Sequence, residues 1–182
     1  MKVIETNIPD IKIIEPQVFG DERGFFMGTW QQKKFEELVT GKQTTFAQDN
    51  HSKSSKGILR GLHYQTENTQ EKLVRVVSGE VFDVAVDVRK DSLEFCQWVG
   101  VYLSVENKCK LWGPEGFVHG FYVTSDEAEF VYKCPNYYNS SAEHSIKWDA
   151  PDIGTEWPLD NELRLSPKDA QVKELCKVEQ LL

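Results

Sequence analysis

The sequence predicts a mostly β domain folded as a sandwich or barrel, and three observations lead to that prediction. Short apolar runs with strand-like alternation recur through the middle of the chain. Turn-forming clusters such as Thr124-Ser125-Asp126 and Asn139-Ser140-Ser141 separate these runs. Helical patterning is confined to two short stretches outside them. Many short strands at this spacing are typical of all-β sandwiches and barrels, of which the jelly roll is one.

The clearest local pattern lies at residues 73–77 and 81–88, two β-rich runs separated by Ser78-Gly79. Glycine supplies a positive φ, so this pattern predicts a tight hairpin. In the second run, Phe82 and every second residue to Val88 share one face, and residues 83, 85 and 87 share the other. Further strands are predicted at residues 98–103, 110–112, 119–123, 129–133 and 145–148.

Two helices are predicted at the margins. Residues 31–39 place Phe35, Leu38 and Val39 on one face, with Thr29 as a candidate cap. Ser166-Pro167 predicts a second helix start, because serine caps helices and proline suits the first turn.

Length and composition narrow the class of protein. The 182 residues fit a single domain spanning 1–182, and 40% hydrophobic residues suffice for a core. A net charge of −8 argues against nucleic-acid binding, because phosphate backbones are bound by basic surfaces. An anionic small molecule needs only a local cluster of cations and is not excluded.

The chain also carries signals of location. The first ten residues lack the apolar core of a signal peptide, and no apolar run approaches the roughly 20 residues that span a bilayer. The cysteines show no C-x-x-C spacing, which favours free thiols in a reducing compartment. They are Cys96, Cys109, Cys134 and Cys176. We therefore expect a soluble cytoplasmic protein that does not bind membranes.

Two glycine-punctuated segments each carry one histidine: His63 in residues 57–65 and His119 in residues 114–121. Such a pair suggests either a metal site or an acid/base site. Arg60 precedes His63 by three residues, so in a regular strand the two would point to opposite faces. A bulge at Gly61 would bring both to one cavity, where an arginine and a histidine suit an anionic substrate and a base.

The segment Pro114-x-Gly116-x-x-His119 resembles the second motif of the cupin superfamily. Metal-binding cupins supply two further histidines as H-x-H and then a glutamate. Here Tyr64 and Gln65 follow His63, and Lys72 or its neighbour Glu71 occupies the glutamate position. A lysine would repel a divalent cation, and two histidines make a poor closed site. We therefore expect no metal.

Seven segments together resemble one family, the dTDP-4-dehydrorhamnose 3,5-epimerases. They are FGDERGFF at 19–26, QDNHS at 48–52, GILRGLHYQ at 57–65, KLVRV at 72–76, GEVFDVAVD at 79–87, PEGFVHGF at 114–121 and the tyrosine pair at 137–138. The resemblance runs in order from about residue 19 to 169. It implies a cupin-type jelly roll with short peripheral helices. It also implies a cofactor-free homodimer that epimerises a nucleoside-diphosphate-linked 4-keto-6-deoxy sugar.

The resemblance implies catalytic roles for four residues. His63 is the base, with Asp169 as the dyad partner that fixes its tautomer. Tyr132 is the acid on the opposite face, since a phenol stays protonated at neutral pH. Lys72 stabilises the enolate oxygen. Without the resemblance, Tyr132 reads as a packed strand aromatic and Asp169 as a carboxylate at a helix end.

The resemblance also implies a binding set. Arg23 and Arg60 would hold the diphosphate, and Tyr138 would stack on the base. The remaining substrate contacts would come from Gln48, Asn50, Lys72, His119, Glu143 and Lys168. Arg23 also has a simpler interpretation as a surface turn residue.

One position departs from the family pattern, which usually reads G-F-F-x-E after the arginine. This chain has Gly28 in place of that glutamate. The change removes a substrate contact and leaves the proton carriers, so it bears on affinity and on nucleotide or sugar preference. Three alternatives stay open: a mono-epimerase acting at C3 or C5, a metal-dependent cupin oxygenase or isomerase, and a non-catalytic nucleotide-sugar binding module.

Overall fold

The structure is a computed structural model that describes residues 1–160 and 163–172. Its strands are β1 (Lys2–Glu5), β2 (Lys12–Glu15), β3 (Val18–Asp21), β4 (Gly24–Met27), β5 (Gln48–Ser55), β6 (Leu59–Gln65), β7 (Lys72–Ser78), β8 (Glu80–Asp87), β9 (Trp98–Ser104), β10 (Lys110–Gly113), β11 (Phe117–Val123), β12 (Glu127–Cys134) and β13 (Glu143–Ser145). The helices are α1 (Gln32–Phe35), followed by a π-helical turn (Glu36–Thr40), and α2 (Pro167–Ala170).

Two antiparallel sheets form the body of the molecule. The first has six strands in the order β1-β2-β10-β7-β12-β5, and the second has five in the order β13-β6-β11-β8-β9. Apolar side chains from both sheets meet in one buried cluster, with Val74, Leu111 and Phe130 from the first and Val81 and Phe121 from the second. The predicted mostly β architecture is confirmed.

The predicted alternation along β8 is also confirmed. Phe82, Val84 and Val86 pack in a second cluster on the outer face of the five-stranded sheet, where Leu62 and Ile146 join them. Because the other face of β8 points between the sheets, residue 83 is directed toward the interior of the sandwich.

The predicted hairpin at Ser78-Gly79 is wrong. β7 pairs with β10 and β12 in one sheet, whereas β8 pairs with β9 and β11 in the other. Gly79 has φ +71, and a Cβ there would lie 2.0 Å from the carbonyl oxygen of Glu127. Glycine is therefore needed at this position, but it carries the chain from one sheet to the other.

The predicted first helix is shorter and differently capped. Gln31, not Thr29, occupies the N-cap position, and no side chain caps the helix. Phe35 is buried against Trp112 and Val39 packs in the same cluster, so the predicted common face is confirmed for these two residues; it is wrong for Leu38, which is 51% exposed. The π-helical turn shifts the register after Phe35, which rotates Leu38 away from the core.

The remaining predicted elements fall on observed ones, with small changes of bounds. The predicted strand at 145–148 corresponds to β13, which ends at Ser145; Ile146 exchanges hydrogen bonds with Leu62, and the chain then turns. The predicted start of α2 is confirmed, because the Ser166 hydroxyl accepts a hydrogen bond from the Asp169 backbone N–H and Pro167 is the first helical residue. None of the described helices is long and apolar enough to cross a membrane.

Candidate active site

A cavity of about 470 Å³ opens between the two sheets. Eleven of the twelve predicted site residues line it, and the exception is Arg23. The eleven are Gln48, Asn50, Arg60, His63, Lys72, His119, Tyr132, Tyr138, Glu143, Lys168 and Asp169. They come from strands of both sheets, the loop before β13, and α2. The fold therefore gathers residues spread over 120 positions of sequence into one cavity.

Strand β6 supplies both Arg60 and His63, and an irregularity in its pairing makes this possible. His119 pairs with His63, but Phe121 pairs with Arg60, so three steps on β6 match two on β11. Gly61 lies within this shift, with φ +141. The predicted bulge at Gly61 is confirmed, and it directs both side chains into the cavity.

The bulge also requires glycine on the facing strand. A Cβ on Gly61 would lie 2.5 Å from the Cα of Gly120. A Cβ on Gly120 would in turn lie 2.9 Å from the carbonyl oxygen of Arg60. The two strands thus approach closely at this point, which sets the spacing of the histidines at positions 63 and 119.

His63 and Asp169 form a hydrogen-bonded pair in the cavity wall. The His63 Nε2–H donates to Asp169 Oδ1 at 2.6 Å, because a carboxylate can only accept. The Ser166 hydroxyl donates to Asp169 Oδ2 at 2.8 Å, so the helix cap orients the carboxylate. With its Nε2–H engaged, a neutral His63 has its lone pair on Nδ1. The pair thus sets the tautomer that a base requires.

Asp169 is buried, with only 3% of its surface exposed. Burial raises the pKa of Asp169, but hydrogen bonds from His63 and Ser166, together with positive charge nearby, outweigh burial and lower it. The carboxylate is therefore ionised in the neutral range and can stabilise an imidazolium on His63.

Tyr132 lines the same cavity from β12, on the six-stranded sheet, whereas His63 lies on the five-stranded sheet. Burial raises the pKa of Tyr132 to about 12, with further contributions from Cys134, Glu143 and Tyr138. The phenol therefore keeps its proton over the whole physiological range. A proton acceptor and a proton donor thus stand on opposite walls of one cavity.

Lys72 enters the cavity from β7, and its Nζ donates to the backbone carbonyl of His63 at 3.4 Å. Burial lowers the pKa of Lys72, and the charge of Asp83 opposes that change, followed by Cys134 and Glu143. An ammonium in this position can interact with an oxygen that develops negative charge in the cavity.

Polar side chains at the mouth bind one another. The Tyr138 hydroxyl donates to Glu143 Oε2 at 2.6 Å, and Lys168 forms an ion pair with the same carboxylate. Gln48 accepts a hydrogen bond from the Tyr138 backbone N–H at 2.9 Å and donates to Asn50 Oδ1 at 2.8 Å. These contacts fix the Tyr138 loop beside the entrance.

Arg60 and Arg23 occupy different environments. The Arg60 Nε–H donates to Ser54 Oγ at 3.0 Å, which leaves its terminal amino groups available in the cavity. Arg23 lies in the turn between β3 and β4, has a side chain that is 86% exposed, and pairs with Asp21. Gly28 follows β4, also outside the cavity, and a Cβ there would meet nothing within 4 Å.

Sequence reasoning missed Asp83, which also lines the cavity. A signal was present, because a carboxylate alternates with valines in β8 and the sandwich buries both faces of that strand. Ser166, missed as a site residue, was predicted only as a helix cap. Its contact with Asp169 follows the local spacing of a capped helix start, in which the cap residue and the third residue after it contact each other.

A metal site is not apparent in the described part of the chain. No three His, Cys, Asp or Glu side chains there converge in a way that could hold a metal ion. Cys96, Cys109 and Cys134 are free thiols, whereas Cys176 lies outside the described residues. Of the two residues predicted for the glutamate position, Lys72 lines the cavity, whereas Glu71 lies outside it and pairs with Lys42.

Comparison with known proteins identifies the family. The family model for dTDP-4-dehydrorhamnose 3,5-epimerase matches residues 5–177. The chain belongs to the dTDP-4-dehydrorhamnose 3,5-epimerase family. The epimerase of Salmonella typhimurium is 61% identical over 171 residues, covering 93% of each chain. The resemblance predicted from the motifs is confirmed, and the protein is an isomerase of the epimerase type.

Two solved structures identify the fold and illustrate the different epimerisations that related proteins carry out. An epimerase from Legionella pneumophila in complex with dTDP-4-keto-L-rhamnose matches with a TM-score of 0.96 at 54% identity, covering 98% of this chain and 94% of that one. A 3′-monoepimerase from Streptomyces bikiniensis in complex with dTDP-quinovose matches with a TM-score of 0.89 at 32% identity, covering 94% and 87%. The cupin-type jelly roll is thereby confirmed, and it supports more than one outcome of epimerisation.

Proposed function

We propose that the chain inverts C3 and C5 of dTDP-4-keto-6-deoxy-D-glucose to give dTDP-4-dehydro-L-rhamnose. The observation that carries this proposal is the His63–Asp169 pair, which shares one cavity with Tyr132 and Lys72. The relatives named 3,5-epimerases support the choice of reaction, and the Legionella complex supports the class of ligand.

The chemistry follows from the C4 ketone. The protons on C3 and C5 are acidic because their removal gives an enolate. His63 Nδ1 takes the proton, and Asp169 stabilises the imidazolium that forms. The ammonium of Lys72 stabilises the enolate oxygen. Tyr132 then donates a proton to the opposite face of the same carbon, which inverts its configuration.

The proton balance closes with solvent. Each inversion leaves a protonated His63 and a deprotonated Tyr132, and water resets both before the next carbon reacts. No electrons leave the substrate and no group is transferred. The proposed reaction therefore requires no metal or organic cofactor, and turnover should survive a chelator; loss of turnover in chelator would instead favour the metal-dependent class of cupin.

The rest of the cavity provides binding. Arg60 contacts the diphosphate, since a guanidinium matches phosphate oxygens in pairs. Tyr138, which is 54% exposed at the mouth, stacks on the base. Gln48, Asn50, His119, Glu143 and Lys168 complete the contacts with substrate. Substrate would have to displace some of the mutual hydrogen bonds at the mouth to make these contacts.

We further propose that the active form is a homodimer in which the β3–β4 hairpin extends onto a second copy. The hairpin exposes Phe19, Phe25 and Phe26, which are 57%, 58% and 72% accessible. β3 and β4 pair only with each other among the described strands. Exposed apolar clusters of this kind mark interaction sites. Arg23 lies outside the cavity of its own subunit. In such a dimer it would instead contact the diphosphate bound in the partner subunit's cavity.

Deuterium exchange tests the reaction. In deuterated buffer, the native enzyme should give an inverted product labelled at both C3 and C5. Label at one carbon only would favour the mono-epimerase alternative, which the Streptomyces bikiniensis relative makes concrete. The single-domain organisation and the cytoplasmic location stay predictions.

Tyr132→Phe adds a second arm to the exchange experiment. Without its phenol the enzyme can still remove and return a proton through His63. We expect label to enter substrate without inversion, and product formation to fall by about 10²–10⁴-fold. Normal inversion in this variant would reject Tyr132 as the acid.

A further inference from the structure

The innermost part of the cavity holds two buried polar side chains whose hydrogen-bonding atoms have no partner. Asp83 is 1% exposed and His119 is 6% exposed. Asp83 Oδ1 and both ring nitrogens of His119 lack a hydrogen-bond partner in the described part of the chain. Buried polar atoms are nearly always bonded, and an unsatisfied carboxylate is costly. The exception calls for a functional explanation.

His119 does not supply that explanation. Its Nδ1 lies 3.7 Å from Asp83 Oδ1, beyond hydrogen-bond distance. Burial lowers the pKa of His119 well below its usual value, and the positive charge of Lys72 lowers it further. The imidazole is therefore neutral at working pH and does not neutralise the charge of Asp83.

Lys72 is the cation that Asp83 faces. Burial raises the pKa of Asp83 well above its usual value, and the charge of Lys72 opposes that rise. Conversely, Asp83 is the strongest of the groups that oppose the lowering of the Lys72 pKa by burial. Each charge thus favours ionisation of the other, and both side chains line the same cavity.

Lys72 and Asp83 are not in direct contact, and this separation determines which donors of the ammonium stay free. Within the described residues, no ion pair of 4.0 Å or less joins Lys72 to Asp83, and Lys72 Nζ makes its hydrogen bond to the backbone of His63. A carboxylate in direct contact would occupy the ammonium donors. At longer range, its field still stabilises the ammonium but leaves N–H groups free.

We propose that Asp83 is a positioning residue that keeps Lys72 in its ammonium form while leaving the ammonium free to bind the enolate oxygen of the substrate. This inference rests on the role of Lys72 in the proposed function. It assigns a purpose to the unpartnered carboxylate, which neither binding nor proton transfer uses.

Other ionisable groups also face the cavity around Lys72. They are Arg60 and His63 on β6, His119 on β11, Tyr132 on β12, Tyr138 in the following loop, Glu143 on β13, and Lys168 and Asp169 on α2. Cys134 on β12 is buried outside the lining and also interacts electrostatically with Lys72. Glu143 already pairs with Lys168, and Asp169 pairs with His63. Of the three carboxylates that line the cavity in the described part of the chain, Asp83 is the one without a cationic contact, because His119 is neutral.

The test is the pH profile of kcat for Asp83→Asn. Turnover requires protonated Lys72, so kcat falls as pH rises through the Lys72 pKa. Removing the negative charge lowers that pKa further, so the basic limb should move to lower pH by about one unit or more. Above the limb, the variant should be about tenfold slower than the native enzyme; well below it, the two should agree more closely.

Two control variants separate this effect from general damage. Asp87→Asn removes another buried carboxylate of β8, one that pairs with Arg89 outside the cavity, and should leave the limb in place. Asp83→Glu keeps the charge and should retain most of the native profile. An Asp83→Asn profile that matches the native one, or falls equally at every pH, would overturn the inference.

Lys72→Arg provides a second test, which stands even if Asp83→Asn fails to fold. A guanidinium stays charged without a counter-ion, so this variant should lose the basic limb, alone and combined with Asp83→Asn. A limb that stays unchanged in Lys72→Arg would show that Lys72 does not titrate there and would reject the inference.

Lys72→Met tests separately whether Lys72 is needed for turnover at all. If that variant keeps turnover, the role of Lys72 in the proposed function fails. If it is inactive while Asp83→Asn shows no shift, only the inference about Asp83 fails.

Discussion

The cavity and the β3–β4 hairpin carry parts of one predicted binding site, yet the chain builds them in opposite ways. In the cavity, His63, Tyr132 and Asp169 are held by hydrogen bonds and buried strands. In the hairpin, Arg23 and the neighbouring phenylalanines are exposed and contact little beyond their own turn. The proton-transferring groups are held in place within the chain, whereas the hairpin leaves its apolar side chains exposed.

The two regions differ in what they are suited to do: the cavity to proton transfer, and the hairpin to contact with a second copy. Proton transfer needs groups held in fixed geometry, and a single jelly roll can provide that. Exposed phenylalanines are unfavourable in water and become favourable once a second surface covers them. In the proposed dimer, the apolar side chains of the hairpin depend on association, whereas the proton-transferring groups of the cavity do not.

Replacing the base should have the largest effect and would break the cavity side of this comparison. We expect His63→Ala to lower kcat by about 10³-fold or more, because His63 is the proposed base and is paired with a carboxylate that stabilises its protonated form. Binding of dTDP, measured by calorimetry, should be nearly unchanged.

The control for this variant is His51→Ala, which removes an exposed histidine on β5 that pairs with Glu129. It should keep full activity. Turnover that persisted in His63→Ala would reject the assigned base and would favour the interpretation as a non-catalytic binding module.

The hairpin side is tested by Arg23→Ala. Loss of one charge-assisted phosphate contact should raise KM by about 10–100-fold with a smaller change in kcat. A second experiment mixes the Arg23→Ala and His63→Ala variants and allows their subunits to exchange, so that heterodimers form. A heterodimer would contain one cavity with an intact His63 and an intact Arg23 from the partner.

Random mixing of equal amounts should then restore about a quarter of native activity at low substrate concentration. If Arg23 instead acted on its own subunit's cavity, the mixture would show only the average activity of the two parent variants.

The smallest effect on turnover is expected for a change that acts on association itself. Phe26→Ser should weaken the dimer by about 10²–10⁴-fold in Kd, because a dimer contains two Phe26 side chains and each loses about 1.5–3 kcal/mol of apolar burial. Leu93→Ser is the matched control, since Leu93 is 98% exposed and lies outside the hairpin. Sedimentation at decreasing concentration measures both, and equal dissociation of the two variants would remove the hairpin from the interface.

Much of the fold was predictable from alternation, but its pairing was not. The runs around Val84 and Tyr122 lie in strands whose apolar pattern is local. The sheet to which each strand belongs depends on contacts distant in sequence. Gly79 illustrates this limit, because its positive φ fits a hairpin turn and a crossing between sheets equally well.

The strands at the start of the chain escaped prediction for a different reason. β5 has the sequence QDNHSKSS and lies at a sheet edge, so polar residues replace the apolar alternation on which such predictions rely. β3 is exposed along its whole length, and so carries no burial pattern. β5 is fixed by pairing with β12, which is distant in sequence, whereas β3 pairs with the adjacent strand β4.

The candidate site shows the same division. His63 and His119 stand out within local motifs, and the bulge at Gly61 could be predicted from spacing alone. Asp169 lies 106 residues from His63 and could be assigned only through the family resemblance. Asp83 was overlooked because a carboxylate at an inward position resembles an ordinary polar residue in an alternating strand.

The single turn of α2 has a consequence for how the enzyme fails under stress. Four residues hold Asp169 against β6, and few contacts join the two elements. Such a short segment opens at a lower free energy than the sheets around it. Mild heating should therefore silence the enzyme before the jelly roll melts, and cooling should restore activity without refolding of the barrel. Heat resistance would then be limited by one helical turn.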